Sequence, residues 1–197
     1  MAQMDATQVG VGAAKATGAI WVAPHGTELP TDATTALPDV WKLLGFTSDA
    51  GVQISESSSN DTIRAWEGRT EVYNVRTEYT ESVSFMPIQC NSDVAKIQWG
   101  ENMVDVDAQT GAIHAKHHGK TLEPVAIVIE TVPRETMVKR YTCNAQLTER
   151  GEQAMDGTQV DGRQLTFNAL GDEEGVTMHE HTAFIAADGT DNNGAEG

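Results

Sequence analysis

The chain has 197 residues, 39% of them hydrophobic and 6% aromatic, with 29 acidic against 13 basic side chains for a formal charge of −16. That length suits one domain with a real core, and the charge argues against a protein that grips nucleic acid, because phosphate binding needs Lys and Arg to release counterions. A negative wall still lets DNA pass without sticking, although charge taken alone favours simple solubility.

Met1 to Thr17 is small and polar and reads as a flexible N-terminal arm. It lacks a basic region followed by an apolar segment, so no secretory signal is expected and the protein is expected to be soluble and made in the cytoplasm. The longest apolar runs, such as Val125 to Ile129, are too short to span a bilayer, so no membrane partner is expected. Gly18 to Ala23 reads as a first strand, and Pro24 to Asp32 as a loop. Pro38 opens an expected helical turn with Val40, Trp41, Leu43 and Leu44 on its apolar face and Gly45 as its stop. Phe46 to Ile54 fits a strand or hairpin broken at Asp49 to Gly51, and Ser55 to Asp61 reads as a polar loop.

Asp61 to Gly100 is the densest stretch. Ile63 to Trp66 is a short strand candidate, and Thr70 to Gln89 is the longest β-like run of the chain. Period-two geometry puts Tyr73, Val75, Thr77 and Tyr79 on one face, with a reversal or bulge near Glu78 to Glu81. Ser92 to Trp99 is a helix candidate, capped by Asn91 or Ser92 and stopped by Gly100. Trp66 and Trp99 are expected to anchor the core at the two ends of this stretch. Strands this long overhang a small core, and the overhang needs something to pack against.

Residues 103–118 read as two short strands around Gln109 to Gly111. Val125 to Ile129, Met137 to Leu147, Arg163 to Leu170 and Val176 to Ile185 continue the β pattern, and Asp188 to Gly197 reads as a disordered tail. The sum is an all-β fold, an antiparallel β-sandwich or barrel of about eight strands with one short flanking α-helix, long hairpins and extended arms. The expected division is an arm over 1–17, a β domain over 18–187 and a tail over 188–197.

Catalytic and metal motifs are weak. His114, His117 and His118 cluster, and His179 and His181 share a strand face, yet no Cys pair or HExxH accompanies them. No nucleophile elbow, Walker loop or dinucleotide fingerprint is present, so no cofactor, no metal and no enzyme activity are expected. Cys90 and Cys143 lie in separate strand candidates; a disulfide stays open, with buried free thiols the expected state.

The ordered series Gly18 to Pro24, Gly26 and Thr27 with Leu29 and Pro30, Gly45 and Phe46 with Ser48 to Val52, Ile63 to Trp66, Thr77 to Phe85, and Asn91 to Gly100 resembles the major tail protein, or tail tube protein, of long-tailed non-contractile bacteriophages. The likeness is strongest to phages of actinobacterial hosts. It covers about residues 18 to 185 and departs from the family at Gln89 to Asn91, where an acidic residue is expected before the Asn.

The resemblance implies a virion protein that closes into hexameric rings stacked as a tail tube, assembled in the host cytoplasm. Two long hairpins per subunit, here the overhanging Thr70 to Gln89 and Val125 to Leu147, would join an inner barrel. Double-stranded DNA would pass through it without specific binding. Implied partners are further copies of the chain, the tape measure protein, the tail terminator and distal tail or baseplate proteins. Glu71, Glu78, Glu81 and Glu130 are the lumen-facing candidates, and Ser55 to Asp61 and the two arms are candidates for bridging rings. The alternative is an Ig-like binding or decoration module of a virion or cell surface.

Overall fold

The structure, a computed structural model, describes residues 9–15, 18–153, 155, 157–158 and 160–185. Within them lie strands β1 (Ile20–Pro24), β2 (Lys42–Leu43), β3 (Thr47–Arg64) and β4 (Glu71–Pro87), then helix α1 (Ser92–Trp99) and a 3₁₀ turn over Glu101–Met103. Strands β5 (Val104–Val106), β6 (Ile113–Ala115), β7 (Val125–Arg134), β8 (Met137–Arg150), β9 (Leu165–Leu170) and β10 (His179–Phe184) complete the chain. The expected tail over 188–197, and 1–8 and 16–17 of the expected N-terminal arm, lie outside the described residues.

The fold is all-β and antiparallel, with β5 and β6 as a separate pair. The main sheet runs β2-β1-β7-β8-β9-β4-β3, and β10 pairs with β8 beyond β9. Its two outermost strands, β2 and β3, are consecutive in the chain and joined by residues 44–46 alone. A flat sheet of that order would separate them by about 29 Å, at ~4.8 Å per strand. The connection spans at most about 14 Å. The sheet therefore curls on itself into an open barrel.

Its concave face holds the core: Ile20 and Val22 of β1, Ile127 and Ile129 of β7, Cys143 and Ala145 of β8, Leu165 and Phe167 of β9, and Val83 and Phe85 of β4. Phe85 and Phe167 stack with centroids 5.5 Å apart. Helix α1 lids this core with Val94 and Ile97. It forms where the sequence places it, because the Asn91 side chain accepts from Val94 N at 2.8 Å and Gly100, at φ 92°, ends the last turn.

The convex face is covered by the 25–41 segment. Trp41 packs with Ala23, Ala126 and Val128, so β7 is buried on both sides. Pro38 opens a turn instead of the expected helix, and Lys42 and Leu43 continue as a strand on β1. The segment is clamped by Arg140, 2% exposed. Its guanidinium donates to Asp32 O and Thr35 O, both at 2.9 Å, and to Glu130 Oε1 from Nε at 3.0 Å. Lys15 donates to Glu130 Oε2 at 2.9 Å, and Val132 N donates to Ala13 O. Part of the expected N-terminal arm is thus fastened along β7.

The β7–β8 hairpin does not overhang. It sits in mid-sheet, flanked by β1 on one side and by β9 and β10 on the other.

Candidate functional site

The other long hairpin has few neighbours. β4 pairs with β9 only from Ser82 to Phe85. From Glu71 to Glu81 it pairs with β3 alone among the strands of the described residues, and β3 pairs with no second strand along its whole length. Ten intervals at ~3.3 Å carry this two-stranded ribbon about 33 Å past the sheet. Its tip is a turn closed by Ala65 N donating to Thr70 O at 2.8 Å. Gly68 and Arg69 both sit in the left-handed region there (φ 68° and 55°), a conformation that strains the non-glycine Arg69.

Ser55 to Asp61, expected as a polar loop, is the middle of β3. A serine-rich run has little strand preference of its own. It is extended because Val72 to Val83, rich in Tyr, Thr and Val, offers a full-length partner, with Ser55 opposite Ser82 and Ser58 opposite Tyr79. The expected break at Asp49 to Gly51 is a register shift between Thr47 and Val52, and the strand carries through it.

A bulge resets the ribbon's faces. Ser59 opposes Glu78 while its neighbour Asn60 opposes Arg76, leaving Thr77 without a partner residue. Tyr79 therefore continues the core-facing side of Val83 with Arg76, whose Cζ lies 5.5 Å from the Tyr79 ring. Tyr73 and Val75 face the opposite way, with Ile63, Asp61 and Glu78. The single face expected for Tyr73, Val75 and Tyr79 is split by that one residue. Both faces are wet: Ile63, Val72, Tyr73 and Tyr79 are exposed, and Trp66 at the tip is 96% exposed.

Trp66 is thus no core anchor. The tip it occupies lies far beyond the core strands. Trp99 is 8% exposed, stacked on His117 at 3.6 Å between centroids and approached by Arg150 at 4.8 Å and Arg163 at 5.5 Å. Two of the clustered histidines serve this packing, His117 through its ring and His118 through Nε2, 2.6 Å from Trp99 O. His179 and His181 stack on each other with centroids 6.3 Å apart. Among the described residues no group of three or more His, Cys, Asp or Glu side chains is placed to hold a metal ion, and no helix is long and apolar enough to cross a membrane.

The four lumen candidates part company. Glu71 and Glu78 are exposed on the ribbon. Glu81 is 7% exposed, on the core-facing side, and accepts from Thr177 Oγ1. Glu130 is 2% exposed and held by Arg140 and Lys15. Buried and paired in the subunit, Glu81 and Glu130 have no lumen-facing carboxylate to offer. Both cysteines are free thiols. Cys143 lies in β8, where burial, reinforced by the charge of Glu81, pushes its thiol up to about 12. Cys90 is exposed in the turn before α1, outside any strand.

A closed core that sends out a ribbon with two unpaired edges and bare Tyr, Val and Trp side chains is a subunit completed by other chains. It is an assembly protein. The chain belongs to the phage tail tube protein family, whose model matches residues 3–193. A similar solved structure is the tail of an empty GTA particle, computed with helical refinement and C6 symmetry; it is 9% identical with a TM-score of 0.43, and the match covers 93% of this chain and 100% of that one. No curated protein sequence matches the chain. The protein is a structural component of a phage tail tube, and its place is the virion tail.

Proposed function

We propose that copies of this chain close into hexameric rings through the β3–β4 ribbon, and that the rings stack into the tube through which double-stranded DNA leaves a long, non-contractile tail. The observation that carries the reading is the ribbon itself, about 33 Å of paired strand with both outer edges open. An exposed edge of that length is an aggregation hazard unless a partner strand or ring closure covers it. Alternating ribbons from neighbouring copies would form a continuous inner wall.

Glu78 pairs with Ser59 and Glu71 with Arg64 on the opposite face of the ribbon, so that wall would turn one of the two carboxylates to the bore, where a negative charge repels a phosphate backbone. The tape measure protein, tail terminator and distal tail proteins are the partners such a tube needs at its centre and ends. Assembly in the cytoplasm of an actinobacterial host is part of the same reading. The protein's role is structural, with no catalytic step.

Negative-stain microscopy of the purified full chain tests this, with rings or tubes as the expected images. Monodisperse single subunits at high concentration would contradict it. Phage carrying Glu71→Lys or Glu78→Lys singly should assemble tails in normal yield, and one of the two should eject DNA more slowly; unchanged ejection in both would remove both side chains from the lumen.

A further inference from the structure

A second unpartnered apolar feature lies at the opposite end of the ribbon from Trp66. Where the 12–15 segment crosses the β2–β3 connection, a groove of about 460 Å³ opens, lined by Ala14, Ala19, Leu43, Phe46 and Val52 with Gly12 at its rim. Phe46 borders it with its side chain 75% exposed, although its backbone is fixed by hydrogen bonds with Gln89 and Ile88. Its lining is mostly apolar, with Lys15, Thr47, Ser48 and Gln89 also bordering it, and no described residue fills it.

We infer that Trp66 at the ribbon tip of one copy seats in this groove of a second copy, beside Phe46. The inference rests on the self-assembly reading above. The subunit cannot satisfy the contact by itself, because the groove is at the root of β3, at Thr47 and Val52, and the tip lies beyond Arg64. Twelve intervals from Val52 to Arg64 put about 40 Å of paired strand between knob and hole. Trp66 stands alone among the four tryptophans in being solvent-exposed, since Trp41 and Trp99 are buried and Trp21 is half-buried. A bare indole on a strained turn is the kind of rigid aromatic anchor that dominates an interface once a pocket desolvates it.

Each copy offers one knob and one hole, tip to root. Repeated between copies that are not related by a two-fold axis, such a contact generates a ring or an open filament. It places the ribbon tip, as well as its edges, in the assembly.

Two variants of the full chain test the two halves of the contact separately. Trp66→Ala removes the knob without touching the core. Gly12→Trp sets an indole on the lining of the hole, where a Cβ meets no atom within 4 Å and the backbone can carry a side chain. Each variant should melt as the wild type does and raise the concentration at which tubes appear by about thirtyfold, the scale of an aromatic hot spot. Trp66→Phe should recover part of that loss. Mixing Trp66→Ala with Gly12→Trp should not restore tubes, since each contact then forms once and cannot propagate.

Tubes from Trp66→Ala at wild-type concentration would overturn the inference and leave the assembly reading standing. So would loss in Trp66→Ala with normal tubes from Gly12→Trp, because the tip would then dock elsewhere. A wild-type chain that never assembles would overturn both.

Discussion

Glu130 and Arg140 face each other across β7 and β8, and each is at most 2% exposed. A buried pair of this kind is worth little against an apolar replacement, but one charge left without its partner is expensive. Arg140→Ala should therefore destabilise the subunit by about 3–5 kcal/mol in urea unfolding, because it leaves the buried Glu130 with Lys15 alone and frees the 25–41 segment. Glu130→Met combined with Arg140→Leu should recover most of the Glu130 share of that loss. A single-variant loss under about 1 kcal/mol, the range of a solvated surface pair, would contradict this placement. The family resemblance, with strand length and negative charge behind it, put Glu130 among the lumen candidates. The signal against it was present: Val125 to Ile129 is apolar at every position, which marks a strand buried on both faces, and its continuation inherits that burial. The partner ten residues on was illegible, because cross-strand pairing depends on where the hairpin turns. Trp66 failed for a related reason. Sequence gives an indole's hydrophobicity but not how far its strand reaches beyond the core.

At the scale of elements, legibility follows how local the cause is. Helix α1 was readable to the residue because its determinants lie within ten positions: Asn91 as cap, Asp93 in the first turn, Gly100 as stop. Asn91→Ala should lower stability by at least the ~1 kcal/mol of a lost N-cap. The Asn91 amide also donates to Leu44 O at 2.9 Å and so ties the helix to the β2–β3 connection. An unchanged melting temperature would show that the cap is dispensable. Strand β3 sits at the other extreme. Ser55 to Asp61 has no apolar period and no strand preference, so nothing local distinguishes it from a loop. Its extension is dictated by β4, a partner whose own β signal was plain. The single-residue bulge at Thr77 was equally hidden, and it alone decides that Tyr73 and Tyr79 look in opposite directions.

For the whole molecule, the sequence announced an all-β chain with more strand than its core needs, and the structure locates the excess in one hairpin instead of two. β7 and β8 are spent inside the subunit, flanked on both sides, which leaves β3–β4 as the long hairpin with open edges. The curl of the sheet brings the roots of that ribbon beside the β2–β3 connection, so the ribbon leaves the barrel next to an apolar groove. Ser57 and Thr80 are paired across it, which allows residues 58–79 to be replaced by Asn-Gly as a two-residue hairpin turn. The deleted residues contribute nothing to the core clusters, so the shortened chain should melt at the temperature of the full chain. Sedimentation velocity on the two chains side by side is the most direct test of the ribbon as the assembly element. The full chain should sediment as rings and tubes and the shortened one as a single folded subunit at every concentration; tubes from the shortened chain would contradict the account.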